Sequence, residues 1–326
     1  MPDLRVTVAG LELRNPVVAG SCEATATREQ IRACLDAGAA AVVAKSTNES
    51  DAAKAQLRTA EYVLLDEELR ARPVGPAGRG DSLFCRSGLV DEPFESWVDT
   101  LAAIDREAGD AYVVPSLIVA DVDEAVHMAQ AFESAGLRWL ELNVAAPHAD
   151  EAPAGAIRTG AELVRPLRDA VSLPLSVKVA TLDQAEGALA AGADAVVLST
   201  RPQGFVPDLD TRRPVLGTFA AVGGAWSVPL TCRQLAKARL RFGADACLVG
   251  TNGARDGDDV ARFLLSGASA AQLATAVMTD GPPVLTRAIE QLSQYLERQS
   301  ADARELIGEA ADAVLTYEEV ALERRH

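Results

Sequence analysis

Positive charge is scarce in this sequence relative to negative charge. The 326 residues include 47 acidic and 31 basic side chains, which gives a formal net charge of -16. A chain with this balance repels phosphate backbones and anionic membrane surfaces. We therefore expect neither nucleic acid nor a membrane among its partners.

Cysteine, histidine and long apolar runs are scarce as well. The five cysteines have no paired spacing, and with the three histidines they predict neither a disulfide framework nor a metal site. No apolar run approaches the roughly 18 residues of a membrane-spanning helix. Residues 1–15 lack the basic and then apolar pattern of a signal peptide. These absences predict a cytoplasmic protein with free thiols and no bound metal.

A weak internal repeat is the first positive feature of the sequence. Four times, a helical stretch ends in a triplet centred on glycine, and a hydrophobic strand follows at once, near Ala41, Trp139, Ala195 and Ala246. The glycine suits the C-terminal cap of a helix, and a continuously apolar strand suits a parallel sheet that is covered on both faces. The repeat is typical of βα units.

Counting such units gives eight strands and eight helices, which fit a closed (β/α)8 TIM barrel better than a doubly wound sheet. The strands are predicted near residues 16–18, 41–44, 112–118, 139–142, 175–179, 195–198, 247–249 and 271–273. The helices are predicted near residues 28–37, 97–107, 122–135, 161–170, 182–191, 231–242, 258–266 and 283–298.

Two segments exceed the minimal repeat, and the carboxyl-terminal tail lies outside it. Residues 50–86 and 200–229 are expected to form long loops at the C-terminal face of the barrel, where barrels bind ligands. We expect the barrel to span residues 1–299. Residues 300–326 are charged and helical in pattern, and we expect them to pack on the barrel or at an interface.

Small and polar residues follow the last two predicted strands. In barrels these two loops often form a phosphate site, because small residues let backbone N–H groups approach the anion and a helix start adds its positive end. A glycine-rich strand end without any ligand is also common, and both interpretations stay open. The residues concerned are Thr251, Asn252, Gly253, Ala274 and Thr275.

Lysines stand at the ends of two predicted core strands, at Lys45 and Lys178. Ammonium groups are rarely carried into a barrel mouth unless they meet an anion or a polarised carbonyl. With the small residues Ala19 and Gly20 after the first strand, they describe a flat anionic cofactor across the mouth. Flavin mononucleotide (FMN) fits, since a lysine can stabilise the negative N1–C2=O edge of the reduced ring. The Gly-x-Gly-x-x-Gly turn that would predict dinucleotide binding is absent from the sequence.

A family resemblance rests on short segments that occur in the same order along residues 4–299. Together they resemble the dihydroorotate dehydrogenase family and the related domain of dihydropyrimidine dehydrogenase. The segments are 11–21 (Leu-Glu-Leu-Arg-Asn-Pro-Val-Val-Ala-Gly-Ser), 43–46 (Val-Ala-Lys-Ser), 141–143 (Glu-Leu-Asn), 177–178 (Val-Lys), 223–225 (Gly-Gly-Ala) and 250–253 (Gly-Thr-Asn-Gly).

The resemblance implies an FMN-dependent oxidoreductase that acts on CH–CH groups. It also implies a small-molecule substrate, an electron donor or acceptor of unknown identity, and a homodimer. The residues expected to bind the flavin are Ala19, Gly20, Lys45, Ser46, Asn143, Lys178, Ser199, Gly223, Gly224, Thr251, Asn252, Gly253, Ala274 and Thr275.

The sequence departs from the family at the catalytic base. Residues 143–148 read Asn-Val-Ala-Ala-Pro-His, where the family has Asn-x-Ser-Cys-Pro followed by Asn or His. Ala146 stands where the family's cysteine or serine removes a proton, and alanine cannot accept one. We therefore expect dihydroorotate oxidation by the usual route to be lost.

The amides that hold a pyrimidine in the family are also largely replaced. Residues 85–91 read Cys-Arg-Ser-Gly-Leu-Val-Asp, where the family has Asn-Ser-Met-Gly-Leu-Pro-Asn. Ser199 stands where an asparagine is expected, and the family's Gly-Asn-Pro-x-Pro-Arg stretch is absent from residues 46–72. These changes predict that orotate is not recognised.

Replacement catalytic residues are few. His148 titrates in the useful range, although an exposed loop histidine often has no role, and Cys85 either faces the flavin or packs as a core thiol. Arg86 is better suited to binding a substrate carboxylate than to moving a proton. The expected catalytic residues are His148, Cys85 and Lys45, and the expected substrate-binding residues are Cys85, Arg86, Ser87, Asn143, His148 and Thr200.

Three functions remain open at this point. The first is an FMN oxidoreductase for a small cyclic or unsaturated compound other than dihydroorotate, in specialised metabolism. The second is a pyrimidine (dihydroorotate or dihydropyrimidine) dehydrogenase that uses His148 or Cys85 as its base. The third is a catalytically silent flavin-binding partner subunit, which Ala146 favours.

Overall fold

The computed structural model describes residues 2–48, 58, 60–118, 121–145 and 160–323, with side chains as far as residue 321. The sequence-predicted base position Ala146 and its neighbour His148 lie outside the described residues. Within the described part, every helix falls short of the length and apolar character needed to cross a membrane.

Short strands recur along the whole described chain. In chain order they are β1 (Val6–Val8), β2 (Leu11–Leu13), β3 (Val17–Ala19), β4 (Ala41–Val43), β5 (Glu61–Leu65), β6 (Ala71–Arg72), β7 (Ser82–Arg86), β8 (Tyr112–Val114), β9 (Ser116–Leu117), β10 (Leu140–Asn143), β11 (Leu175–Lys178), β12 (Ala195–Leu198), β13 (Gln203–Gly204), β14 (Ala220–Gly223), β15 (Leu248–Thr251) and β16 (Ala270–Leu273).

Helices alternate with these strands. They are α1 (Arg28–Asp36), α2 (Phe94–Glu107), α3 (Val122–Ser134), α4 (Val164–Ala170), α5 (Leu182–Ala190), α6 (Val228–Phe242), α7 (Gly257–Leu265), α8 (Thr275–Asp280), α9 (Pro283–Gln299), α10 (Glu309–Asp312) and α11 (Tyr317–Glu323). Three short 3-10 turns precede α1, α4 and α6, at Glu23–Thr25, Ala161–Leu163 and Ala225–Ser227.

The parallel strands close into a barrel. Their order is β8-β4-β3-β16-β15-β12-β11-β10-β9, so the two ends of the sheet are β8 and β9. These are two halves of one strand that is interrupted at Pro115, which has no N–H to donate. The carbonyl of Pro115 still accepts a hydrogen bond from the Glu141 N–H, at 2.9 Å. One broken strand therefore pairs with β4 on one side and β10 on the other, and the eight-stranded circuit is complete.

The eight predicted barrel strands and eight predicted helices are confirmed, and their observed bounds differ by a few residues. The barrel strands are almost wholly buried, as continuous apolar runs require when helices cover the sheet. Polar side chains cap several helix starts: Thr27 for α1, Asp121 for α3, Thr181 for α5 and Asp256 for α7.

The two long insertions were expected as loops, and this expectation was incomplete. Strands from both insertions pair into one antiparallel sheet in the order β13-β14-β7-β5-β6. In its centre, Phe84 of β7 pairs with Val63 of β5 and with Val222 of β14. Neither insertion supplies a whole sheet alone, because β7 needs a partner more than 130 residues away, and short-range sequence patterns do not reveal that pairing.

The carboxyl-terminal tail is less helical than its pattern predicts. Its described helices are the short α10 and α11, while Ala303 and Leu306 are buried in turns between α9 and α10. Arg239 of α6 holds Asp312 at 2.7 Å, so this part of the tail packs on the barrel helices. The division into a barrel and a separate tail stays a prediction.

The close packing of α7 against α9 in the outer layer of the barrel can be tested by substitution. A Cβ added at Gly257 would lie 2.3 Å from Leu292 N and 2.7 Å from Ala288 O, both of which are backbone atoms. We expect Gly257→Ala to lower the free energy of unfolding by about 1–3 kcal/mol, since backbone atoms cannot move aside cheaply. Chemical denaturation measures the change.

Gly75→Ala is the matched control, because a Cβ at Gly75 meets nothing within 4 Å. We expect this variant to be as stable as the parent protein, or more stable by up to about 1 kcal/mol. Equal stability of the two variants would contradict the close contact between the two helices.

Candidate active site

A cavity opens where the carboxyl ends of the barrel strands meet. Its wall combines residues that follow different strands, including Lys45 after β4, Asn143 of β10, Lys178 of β11 and Thr251 of β15. This face of the barrel carries the active sites of TIM-barrel enzymes.

Lys45 is held by a carboxylate from the preceding unit of the barrel. Its side chain is only 7% exposed, and its Nζ lies 2.6 Å from Glu23 Oε1. The Gly88 N–H donates to the same oxygen at 3.1 Å. One carboxylate therefore neutralises the buried ammonium and also ties the loop after β7 to the barrel.

Hydroxyl and amide groups stand beside Lys45 on the wall. Ser46 Oγ lies 2.9 Å from Ser116 Oγ and 3.3 Å from Ser21 Oγ. Asn143 Oδ1 accepts a hydrogen bond from the Ala145 N–H at 3.1 Å. That contact fixes the orientation of the Asn143 side chain and leaves its amide donors for other partners.

Lys178 belongs to a polar network inside the barrel. Its Nζ lies 3.3 Å from Gln272 Oε1, and Gln272 Nε2 donates to Glu141 Oε2 at 2.5 Å. Burial lowers the pKa of Lys178, while the nearby Glu141 carboxylate acts in the opposite direction. Glu141 is 1% exposed, so the barrel interior carries a buried carboxylate that compensates only in part for the ammonium.

Two residues with positive φ lie side by side at the ends of β12 and β15. Ser199 has φ 76° and Asn252 has φ 72°, in a region that residues other than glycine seldom occupy. Thr231 Oγ1 of α6 lies 2.8 Å from both Ser199 Oγ and the Asn252 carbonyl oxygen. Such conformations cluster at binding sites, where surrounding contacts maintain them.

The loops after β15 and β16 contain the small residues that the sequence singled out. Gly253 has φ 106°, and a Cβ there would lie 2.8 Å from Val228 N at the start of α6. Ala274 and Thr275 lie at the start of α8 on the same cavity wall. Asn252 Oδ1 is buried and has no hydrogen-bond partner among the described residues.

Arg201 is a cavity residue that the sequence analysis did not identify. Its Nη2 donates to Ser87 Oγ at 3.0 Å, and its Nη1 contacts the Cys85 sulfur. Burial by itself lowers the pKa of Arg201, but Cys85 and Glu23 outweigh it, so the pKa lies above its ordinary value. The sequence feature that could have identified Arg201 is its position three residues beyond the end of β12.

The structure brings together eleven of the residues expected at the site. On the cavity wall are Lys45, Ser46, Ser87, Asn143, Lys178, Thr200, Thr251, Asn252, Gly253, Ala274 and Thr275. Five others are buried and do not line the cavity: Ala19, Gly20, Ser199, Gly223 and Gly224. The roles of these residues stay predictions.

Cys85 and Arg86 lie on β7 and are not part of the cavity wall. Cys85 is fully buried against Arg201. Arg86 lies 3.0 Å from Glu61 and also donates to the Leu216 carbonyl. Among the described residues, the cation that lines the cavity near Ser87 is therefore Arg201, and Arg86 is engaged within the insertion sheet.

All five cysteines are free. Burial, reinforced by Glu23, raises the pKa of Cys22 to about 11. No group of three or more metal-binding side chains occurs in the described ranges.

The buried ammonium of Lys178 predicts a pH dependence of stability. Its pKa is lowered by folding, so the unfolded chain binds more protons between that pKa and the ordinary value of 10.5. Stability therefore rises with pH through this window, by about 1.4 kcal/mol for each tenfold loss of proton affinity. We expect Lys178→Met to lose this rise in flavin-free protein, measured by urea denaturation from about pH 7 to about pH 10.

Lys237→Met removes an exposed lysine of α6 and serves as the control. Its unfolding free energy should follow the parent protein across the whole pH range. A constant difference between Lys178→Met and the parent at all these pH values would show that Lys178 is not strained by burial.

Comparisons with known proteins give one consistent result. A model of the dihydroorotate dehydrogenase family matches residues 77–296. The catalytic subunit of dihydroorotate dehydrogenase B (NAD(+)) from Desulforudis audaxviator is 30% identical over 322 residues, which cover 94% of this chain and 96% of that protein. The subunit of the same name from Methanothermobacter thermautotrophicus is 26% identical over 321 residues, covering 95% of this chain and 99% of that one.

A putative dihydroorotate dehydrogenase A (fumarate) from Aeropyrum pernix is 27% identical over 303 residues, covering 90% of this chain and 93% of that protein. Members of the family are FMN-dependent oxidoreductases that act on CH–CH groups. The residues that the family model matches include strands β7 to β16. This chain belongs to the dihydroorotate dehydrogenase family.

Proposed function

We propose that this protein binds FMN in the barrel mouth and adds or removes hydrogen across a carbon–carbon bond of a small cyclic or unsaturated compound other than dihydroorotate. The observation that carries the proposal is the cavity at the barrel mouth, with Lys45 and Lys178 on its wall and small residues at its β15 and β16 loops.

The residues present fit FMN. The buried Asn252 Oδ1 lacks a donor among the described residues, and a ribityl hydroxyl is a donor of the kind it needs. Gly253, Ala274 and Thr275 would hold the phosphate, since their small side chains leave backbone N–H groups open to an anion. Lys45 and Lys178 would lie along the ring system. Glu23 keeps only one of them, Lys45, in an ion pair.

The chemistry that FMN supplies when bound is hydride transfer. In this proposal the chain's own residues orient the reactants and stabilise charge. Lys45 favours negative charge near it, and the amide N–H groups of Asn143 donate to a carbonyl oxygen of the flavin or the substrate. Burial lowers the pKa of Lys178, and an anion bound against this group would favour its charged form.

The proton half of the reaction needs a separate group. The described cavity wall carries Lys45, Lys178 and Arg201 but no carboxylate, imidazole or thiol. Ala146 cannot serve at the family's base position, so His148 remains the proposed proton acceptor or donor. Cys85, the other candidate from the sequence, is buried against Arg201.

Few amides on the described wall are available for a pyrimidine edge, and this favours another substrate. Gln272 is engaged at both ends, by Lys178 and Glu141. The oxygen of Asn143 is engaged by Ala145. A buried polar edge of the substrate that is left unpaired costs about 1–3 kcal/mol per group, which weakens recognition of dihydroorotate.

A pyrimidine dehydrogenase is the second candidate, and the names of the relatives favour it. Several are catalytic subunits of dihydroorotate dehydrogenase B (NAD(+)). In that case His148 or Cys85 would take over from the missing base. The same names support the proposal that a partner subunit exchanges electrons with this chain, in addition to the homodimer that the resemblance implies.

Identification of the cofactor is the first test. We expect the purified protein to release FMN, rather than FAD or NAD, on denaturation, as read by chromatography of the supernatant. Ala274→Asp puts a carboxylate where the phosphate is proposed to bind, and we expect it to weaken FMN binding by about 100-fold through charge repulsion. The control is Ala244→Asp, at an exposed position on the outside of the barrel.

FAD in the supernatant, or a colourless protein that FMN does not reconstitute, would rule out this cofactor assignment. Equal FMN affinity of the two alanine variants would move the phosphate away from the loop after β16.

Turnover of dihydroorotate is the second test. We expect no appreciable oxidation by the flavin-loaded protein, because loss of a positioned base costs about 10²–10⁴-fold and loss of substrate amides adds to it. Ala146→Cys alone should not restore activity, since the pyrimidine edge remains unpaired. Anaerobic bleaching of flavin absorbance by dihydroorotate is the measurement.

Rapid bleaching by the unmodified protein would favour the pyrimidine dehydrogenase and assign a base other than residue 146. Restoration by Ala146→Cys alone would mean that pyrimidine recognition survives the replaced amides.

A further inference from the structure

We propose that Arg201 determines the substrate class of this protein: its guanidinium binds a carboxylate of the compound that reacts in the cavity. The proposal rests on the proposed function and adds to it the charge of the substrate. Its basis is the position and the incomplete bonding of one cation on the cavity wall.

Some N–H donors of the Arg201 guanidinium have no acceptor among the described residues. An arginine carries five N–H donors, and those of Arg201 meet two acceptors, Ser87 Oγ and the Cys85 sulfur. Subtracting these two leaves three N–H groups without an acceptor among the described residues. A carboxylate accepts two parallel N–H bonds from such a fork, which a neutral carbonyl cannot do as well.

No described carboxylate forms an ion pair with Arg201. Lys45, another cation on the cavity wall, does have an ion-pair partner. Lys45 is paired with Glu23 at 2.6 Å. Glu23 also attracts Arg201 electrostatically, but the two form no ion pair: Glu23 Oε1 is held by Lys45 and by the Gly88 N–H, and the buried Oε2 has no hydrogen-bond partner among the described residues. A cation at a cavity wall with no ion-pair partner is stabilised by an anionic ligand.

The scaffold fixes the guanidinium against Ser87, and the stem that carries it passes Gly223 beside Asn252 of the loop after β15. The aliphatic stem of Arg201 packs over Gly223 of β14, where an added Cβ would lie 2.9 Å from Arg201 Cδ. From there the head reaches β7 of the same sheet. Ser87 is followed by Gly88, whose N–H bonds to the carboxylate that holds Lys45. The cation therefore lies toward the Lys45 part of the wall.

The test measures how flavin-loaded protein distinguishes acids from neutral analogues. Benzoate, cyclohexene-1-carboxylate and orotate would each be titrated beside the corresponding amide, with binding read by isothermal calorimetry and by the flavin absorbance spectrum. We expect at least one acid to bind more tightly than its amide. Arg201→Gln should weaken that acid about 10- to 100-fold and leave the amide nearly unchanged.

Two further variants keep the comparison informative. Arg201→Lys keeps the charge but loses the planar fork, and we expect an intermediate loss of acid binding; it also carries the comparison if Arg201→Gln does not fold. Arg213→Gln removes one positive charge from an exposed position in the same insertion, and it should bind acids as the parent does.

Three results would overturn the inference: no acid binds, acids and amides bind alike, or Arg201→Gln binds acids as tightly as the parent. Loss of FMN from Arg201→Gln, with its acid preference intact, would assign the guanidinium to the flavin phosphate and overturn it as well. Calorimetry measures acid binding with or without flavin. Absence of FMN from the parent protein would therefore contradict the proposed function without deciding whether Arg201 binds a carboxylate.

Discussion

Closure of the barrel through one interrupted strand is the constraint on which the rest of the structure depends. Pro115 divides the strand into β8 and β9, which pair with β4 and β10. Parallel strands in a closed circuit all end at one face. Lys45, Asn143 and Lys178, which are more than 30 residues apart along the chain, therefore line one cavity because each follows or ends a strand of that circuit.

The cavity gathers positive charge at some cost in stability. Lys45 is neutralised by Glu23 at close range, whereas Lys178 has only an amide oxygen and a carboxylate beyond it. Arg201 has no carboxylate partner among the described residues. Burying a charge without full compensation is unfavourable, and such sites become stable when an anion binds. The wall is thus better matched to an anionic cofactor and substrate than to water.

The insertion sheet contributes Arg201 and its neighbour Ser87 to the cavity wall. Strands β7 and β14 come from two insertions, and their pairing brings Ser87 and Arg201 into contact. The barrel supplies the cofactor end of the site, which the family shares. In the proposed arrangement the insertions supply the part that faces the substrate, and changes within them would alter specificity while the barrel stays intact.

Much of this arrangement could be predicted from the sequence, because it rests on local patterns. Apolar runs predicted every barrel strand, four of them directly after a glycine-centred helix end, and a closed parallel barrel then required Lys45, Lys178 and Asn143 to share one face. The order of short motifs predicted the family. Ala146 predicted the loss of its usual base, since an alanine has no titratable group in any fold.

Only the tertiary structure decided which arginine lines the cavity. The sequence pointed to Arg86, which lies beside Cys85 in the segment that aligns with the family's substrate loop. In the folded chain Arg86 is engaged with Glu61, and Arg201 lies against Ser87 on the cavity wall. The choice depends on antiparallel pairing between strands more than 130 residues apart, and a long-range pairing of short strands leaves no periodic signal in the sequence.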